Sequence, residues 1–316
     1  MLRVLIVGCG DIARRLAPLL TKRYRVYGLI RNPDRKQELK SWGVRPVIGD
    51  LDVSASLRKL SGLAHFVIHL APPQPAGLTD PRTLHLISAL GSLQNGPPNR
   101  SHLRCRMLPQ RLLYISTTGV YGNCDGEAVS ETRPLRPETG RACRRDAAET
   151  VLRDWGVRNG VAVSILRVPG IYADDRLPLD RLRNGIPALL PDEDSYTNHI
   201  HADDLARIIV AAILRARPGR SYNCVDDSAL KMGDYFDLVA DRFGLPRAPR
   251  ISREQAESQL PDTLMSFLRE SRRIGNRRLK RELKIRLRFP TVQSALEKMG
   301  LSQNEFRARG IRTIER

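Results

Sequence analysis

The chain predicts an open, doubly wound α/β fold with a smaller, mainly helical C-terminal cap. Three observations carry this expectation. Short apolar runs alternate with amphipathic stretches in a β-α-β-α-β-α-β rhythm over the first 70 residues. A glycine-rich turn, Gly8-Cys9-Gly10-Asp11-Ile12-Ala13, joins the first apolar run to the first amphipathic stretch. The same alternation then resumes beyond residue 110. With 316 residues, 41% of them hydrophobic, the chain can bury a large core, which excludes wholesale disorder.

In chain order, residues 4–7 read as a buried strand, since the run leads into Gly8 rather than a cleavage site. Helix-like stretches follow at 11–22, 33–42 and 54–61, separated by strands at 25–30, 45–48 and 66–70. A helix at 80–93 precedes a polar stretch at 94–110 that reads as an inserted loop. Strands at 111–116 and 161–168 flank a helix at 141–158. Asp203 is placed to cap a helix whose apolar face is Leu205, Ile208, Ile209, Ala212 and Ile213, and a strand follows at 221–225. Residues 230–295 read as helices with short connections. The expected division is a main α/β domain of 1–170 plus 199–225, a smaller cap of 171–198 plus 226–295, and a charged tail at 296–316.

No apolar stretch approaches the roughly 18 residues that span a bilayer, so no membrane role is expected. Five cysteines without a C-x-x-C pair argue against a disulfide framework or a zinc cage, and no metal site is expected. The expected location is cytoplasmic. Formal charge is +19, and all but eight of the 53 basic residues are arginine. The densest run, 272–288, has nine basic residues against one Glu and no aromatic side chain for a base to stack on. The charge leaves a nucleic-acid partner open, but a basic run is more often a solvated helix face.

The glycine turn sits where the G-x-G-x-x-G/A dinucleotide fingerprint requires, after a strand and at the start of a helix. Gly8 permits the tight turn, Gly10 lets a pyrophosphate approach the backbone, and Asp11 and Ile12 open a helix whose N-terminus attracts phosphate. At the end of the second strand, a carboxylate would hold the ribose hydroxyls of NAD. The chain has Arg31 there, with Arg35 nearby, which favours NADP(H) over NAD(H).

Further segments resemble the short-chain dehydrogenase/reductases, in particular the extended epimerase/dehydratase type. Gly49-Asp50-Leu51 resembles their adenine-contacting turn, and His69-Leu70-Ala71 their cofactor-lining turn. Ile115-Ser116-Thr117-Thr118-Gly119-Val120-Tyr121-Gly122 resembles their S-S-x-x-V-Y-G segment. Leu166-Arg167-Val168-Pro169-Gly170-Ile171-Tyr172 resembles the turn beside the nicotinamide, and residues 198–206 their I-H-x-D-D-L-A segment. Asn276, Leu279, Leu283 and Pro290-Thr291 resemble their C-terminal helix and turn. The similarity covers residues 1–295 and implies a Rossmann-type fold, a nicotinamide cofactor, a small-molecule substrate of unspecified identity and, by family habit, a homodimer.

The chain departs from that pattern where the chemistry is done. Active members pair a Tyr with a Lys four residues later, the cation lowering the Tyr pKa. Thr117 matches their Ser/Thr position, but the Tyr and Lys positions fall on Arg141 and Arg145, and no Tyr-x-x-x-Lys occurs anywhere. Arginine stays protonated, so Arg141 cannot exchange that proton. This is similar to the atypical branch, which includes oxidoreductases, redox-sensing regulators and RNA-associated proteins. The Asp-Glu pair of the dehydratases is replaced by Thr118-Gly119. Several readings stay open. Arg141 clamps a carboxylate or phosphate or steadies an oxyanion, with Arg145 at the ribose and Tyr121, Tyr172 or His201 supplying the proton. Alternatively, both arginines make structural ion pairs with Asp146 or Glu149, and His201 only organises a turn. Asn198, Arg181 and Arg183 are candidate substrate contacts by their place between the lobes.

Overall fold

A computed structural model describes residues 1–91 and 108–299. Most of the expected 94–110 loop and 296–316 tail lies outside the described residues. Residues 296–298 belong to the last helix, where Leu296 is buried.

Seven parallel strands form the central sheet: β1 (Arg3–Val7), β2 (Arg25–Ile30), β3 (Arg45–Ile48), β4 (Phe66–His69), β5 (Arg111–Thr117), β6 (Ala162–Val168) and β7 (Ser221–Asn223). Their order is β7-β6-β5-β4-β1-β2-β3. The chain leaves β1 towards β2 and β3, then returns to place β4 on the other side. The direction of winding therefore reverses between β1 and β4, and a crevice opens at the carboxyl ends there. The helices are α1 (Asp11–Leu20), α2 (Lys36–Ser41), α3 (Pro81–Leu90), α4 (Gly140–Asn159), α5 (Leu179–Arg183), α6 (Ala202–Arg215), α7 (Met232–Phe243), α8 (Arg253–Gln259), α9 (Asp262–Leu268), α10 (Arg277–Leu283) and α11 (Val292–Lys298).

Alternation along β1 explains the two layers. Val4 and Ile6 pack with Leu16 of α1 and Ile208 and Ile209 of α6, whereas Leu5 and Val7 pack with Leu86 of α3 and Leu152 of α4. Both faces of the strand are covered, so its sequence is apolar throughout. The cap has its own core, with Tyr235, Phe236 and Val239 of α7 packed against Val292 and Leu296 of α11.

The elements differ from the sequence expectation in several places. The stretch 33–42 divides into a 3₁₀ turn, Pro33–Arg35, and α2, because Asn32 caps the turn by accepting from the Asp34 amide. Ser54–Leu60 is a 3₁₀ helix rather than an α-helix, and its period of three places buried Leu57 and Leu60 on one side. Asp203 does not cap α6. His201 does, its Nδ1 accepting from the Asp203 amide at 3.2 Å, so the helix begins one residue before Asp203. The C-terminal region also contains short strands. Arg273–Ile274 pairs with Ala128–Val129, and Arg250–Ile251 with Ala188–Leu189. The basic run is divided between roles. Leu279 and Leu283 of α10 enter the main core beside α6, while Arg277 and Arg281 face solvent.

A buried polar network crosses the sheet. Glu149 of α4 is fully buried and receives two hydrogen bonds from Arg167 of β6, Nε to Oε1 at 3.1 Å and Nη2 to Oε2 at 2.8 Å. Arg167 Nη1 donates to the Tyr121 hydroxyl at 2.9 Å, and that hydroxyl donates to Asn223 Oδ1 at 2.7 Å. Burial would lower the Arg167 pKa, but Glu149 outweighs it and the guanidinium is held above its ordinary range. Removing one partner strands the other charge. Glu149→Ala is expected to cost about 3–5 kcal/mol, measurable by urea unfolding.

Histidines add a pH dependence. Burial pushes His69 and His199 down to about 3, and His201 is lowered as well. Below about pH 6.5 the unfolded chain takes up protons that the folded chain refuses, so stability falls as pH drops from about 6.5 towards 3. Asp226, which burial raises to about 7, acts in the opposite sense between about pH 4 and 7 and offsets part of this loss. His69→Gln should flatten the melting temperature against pH over that window, with no change in slope above pH 7.

Candidate functional site

The carboxyl edge of the sheet carries two clefts. The first, about 410 Å³, lies at the ends of β1, β2 and β3 and is lined by Gly8, Arg31, Asn32, Arg35, Asp50, Leu51 and Ala71 among others. Its floor is set by the turn after β1. Gly8 has φ +96°, and a Cβ there would sit 2.5 Å from the Ala71 amide nitrogen. That contact follows from β4 closing on β1, since Leu70 and Ala71 both donate to the Val7 carbonyl, at 2.8 and 2.9 Å. Space over Gly10 is open within 4 Å, and the α1 N-terminus there has no side-chain cap. Ile12 packs back against the main core.

Asp11 would set a negative charge beside that helix end. Burial acts to raise its pKa, but hydrogen bonds from Arg14, Arg176 and Arg15 outweigh it, so the carboxylate is held low and its charge is matched. Asp50 bonds within its own turn, accepting from the Asp52 amide at 2.9 Å while its own amide donates to Ser56. Arg35 pairs with Glu38 at 2.6 Å. Arg31 is exposed on the cleft wall and makes no hydrogen bond or ion pair among the described residues. An open glycine turn, uncapped helix amides and an unpaired arginine at the end of β2 fit the pyrophosphate and ribose of a nicotinamide dinucleotide.

The second cleft, about 460 Å³, lies at the ends of β5 and β6 and under the cap. It brings together Thr117, Arg141, Arg145, Pro169, Gly170, Ile171 and Asn198 from the sequence-derived set. Thr117 Oγ1 accepts from the Gly119 amide at 3.2 Å, fixing the turn after β5. Arg145 Nη1 donates to the Ile115 carbonyl at 2.8 Å and the Tyr114 hydroxyl at 3.1 Å, with the Ala71 carbonyl at 3.5 Å. It thus buttresses the seam between β4 and β5. Arg141 is exposed at the mouth with its guanidinium 4.4 Å from the centre of the Phe267 ring. Neither arginine pairs with Asp146 or Glu149, because Glu149 belongs to Arg167 and Arg153. Asn198 is spent on the backbone, donating to the Arg272 carbonyl and accepting from the Ile274 amide, both at 2.9 Å.

Other expected residues lie elsewhere. Tyr121 is buried in the cross-sheet network with its hydroxyl between Arg167 and Asn223, and it does not line the cleft. His201 caps α6 and stacks on Phe289 with ring centres 3.8 Å apart, outside the lining. Tyr172 lines the cleft, but its hydroxyl points to Asp226 at 3.4 Å. Arg181 lies on Phe236 at 4.6 Å and donates to the Pro187 carbonyl in an adjoining small cavity, while Arg183 faces solvent and pairs with Asp180. The lining also contains residues that sequence reasoning did not single out: His199, Tyr235, Phe267, Glu270 and Arg272. Arg272 opened the basic run, but nothing local marked it, or Glu270, as facing a cleft 130 residues back in the chain.

The Gly8 geometry gives a direct test. Gly8→Ala combines a left-handed backbone with a Cβ clash against backbone atoms that cannot yield. It should destabilise the fold by at least about 2 kcal/mol and abolish any dinucleotide-induced rise in melting temperature.

The comparisons agree with this architecture. The sequence model of the NAD dependent epimerase/dehydratase family matches residues 4–224. The chain is 26% identical over 250 residues to 4-hydroxy-2-methyl-3-oxo-4-farnesyl-3,4-dihydroquinoline-1-oxide ketoreductase of Stigmatella aurantiaca, covering 75% of this chain and 72% of that protein. It is 25% identical over 138 residues to dTDP-glucose 4,6-dehydratase of Streptomyces griseus, a match spanning only 41% of this chain and 42% of that enzyme. Among solved structures, a functionally unknown conserved protein from Silicibacter pomeroyi superposes with TM-score 0.75 at 28% identity, over 96% of this chain and 99% of that one. By its parallel sheet, its switch-point cleft and the family match over most of its length, the chain belongs to the NAD dependent epimerase/dehydratase family.

Proposed function

We propose that the protein is an NADP(H)-dependent oxidoreductase or epimerase-like enzyme that exchanges its proton without a tyrosine–lysine pair. The observation that carries this reading is the pair of clefts along one sheet edge. One is built on Gly8 and Arg31 for the nucleotide end, the other on Thr117, Pro169 and Gly170 under the cap. When bound, the cofactor would give or take a hydride. The chain would position it, with Arg31 as the cation for a 2′-phosphate and Arg145 holding the strand ends firm.

Proton exchange falls to a short set of groups. Tyr235 is pushed up by burial, and His199, held down to about 3, is neutral at ordinary pH. Tyr172 is engaged with Asp226. The Thr117 hydroxyl and the Glu270 carboxylate, whose Oε1 has no partner, are the groups of the lining that support this role best. The name of the ketoreductase relative supports a redox role. A second reading, an NADP(H)-binding sensor without catalysis, is favoured by Arg141 standing where active relatives carry Tyr.

Melting of the full chain with NADPH, NADP⁺, NADH, NAD⁺ and a short RNA tests the first reading. A ligand at 100 times its dissociation constant adds roughly 2.7 kcal/mol. NADPH and NADP⁺ should stabilise more than their unphosphorylated counterparts. Arg31→Ala should weaken NADPH roughly 10- to 100-fold, leaving NADH nearly unchanged. Salt-sensitive stabilisation by RNA with no response to any dinucleotide would overturn the reading. Reductase activity that arises only in a double variant, Arg141→Tyr with Arg145→Lys, would favour the sensor.

A further inference from the structure

The cap-side cleft carries a charge imbalance that its own side chains do not resolve. Arg141, Arg145 and Arg272 line it against one carboxylate, Glu270. Arg145 spends its donors on neutral oxygens. Glu270 commits Oε2 to Arg272 Nη2 at 2.6 Å, and Arg272 Nη1 donates to the Gly122 carbonyl at 2.7 Å. Arg141 has no hydrogen bond or ion pair among the described residues. Desolvation by the cleft wall lowers its pKa, Glu270 opposes that, and Arg145, Arg272 and Arg144 add to it. It is a cation without an anion.

The wall behind it is incomplete as well. Glu270 is 6% exposed and Arg272 9%, yet Glu270 Oε1 and Arg272 Nε have no hydrogen-bond partner. Both residues line the cleft. Apolar surface lies beside the charges, in a lining that also carries Thr117, Tyr196, Thr197 and Tyr235. The Phe267 ring, 44% exposed, lies under Arg141, and Met232 and Phe267 also wall a cavity of about 80 Å³ that reaches Leu264 and Leu268.

We propose that this cleft takes a small carboxylic acid with an apolar body, its carboxylate on the Arg141 guanidinium and its body against Phe267 and Met232. A single unpaired guanidinium fork matches a planar carboxylate through two parallel N–H···O bonds. A phosphate dianion would meet more repulsion from Glu270 than a monoanion does. That this acid is the substrate rests on the oxidoreductase reading above. That it binds does not.

Isothermal titration of the full chain with benzoate, benzamide and inorganic phosphate, with and without saturating NADPH, tests the assignment. Benzoate should bind, and benzamide, its neutral isostere, about tenfold or more weaker. Arg141→Gln should cut benzoate affinity by about tenfold or more, Arg141→Lys should restore part of it, and neither should alter NADPH binding. Arg141 and Phe267 are exposed, so their variants should melt as the parent does, and Phe267→Ala should weaken benzoate by about threefold or more. Equal binding of benzoate and benzamide, a preference for phosphate, undiminished binding in Arg141→Gln, or no benzoate binding at all would each overturn the proposal. Charge-dependent benzoate binding in a protein that does not bind NADPH would support the anion site and overturn the cofactor reading instead.

Discussion

The fold turns on one buried ion pair. Glu149 sits in the middle of α4 with no exposed surface, a position that an unpaired carboxylate could not hold. Arg167 reaches it from β6 with two hydrogen bonds, and its third guanidinium nitrogen donates to Tyr121. The pair fixes both the height and the rotation of α4 over the sheet. Arg145 and Arg141 lie one and two turns earlier on that helix, so the same lock sets where both guanidiniums stand at the cleft. Tyr121 then carries the network to Asn223 of β7 and ties the sheet edge to the turn after β5. A hydrophobic substitute could pack there, but it would not hold three elements at defined angles.

Charge is managed differently at the two clefts. At the nucleotide end, Asp11 could repel a phosphate, and three arginines from α1 and the cap segment hold its carboxylate. Arg15 also reaches Asp175 and Asp203, so the network joins α1, the start of α6 and the loop after β6. At the cap end the excess positive charge is left unmatched. Arginine suits both settings, since its planar fork serves equally for backbone carbonyls, carboxylates and aromatic faces.

Several other arginines bind backbone carbonyls within the fold. Arg242 and Arg215 close helix or loop carbonyls at the ends of α11 and α10, Arg111 binds the Ala216 carbonyl, and Arg278 binds that of Ser221. The run at 272–288 looks like one electrostatic feature in sequence. In space it contributes a cleft wall at Arg272, a strand pairing at Arg273 and a packed helix at Leu279 and Leu283.

Much was settled by local pattern. The apolar runs of a doubly covered parallel sheet, the glycine turn and the absence of a Tyr-x-x-x-Lys pair are all properties of neighbouring residues, set by backbone sterics and burial over a few positions. The turns where Thr117, Pro169 and Gly170 sit were legible through the resemblance to the epimerase/dehydratase type. Other features depend on contacts between residues distant in sequence, and only the tertiary structure decided them. Tyr121 belonged to a recognisable segment, yet Arg167 and Asn223, 46 and 102 residues away, capture its hydroxyl in the core. Asp203 had the chemistry of a cap, but an imidazole delivered by the preceding short strand reached the helix amides first. Glu270 and Arg272 join the cleft lining beside the point where Arg273–Ile274 pairs with Ala128–Val129. Periodicity reports which face a residue shows to its own element. Which distant side chain meets it there is fixed by how the elements pack.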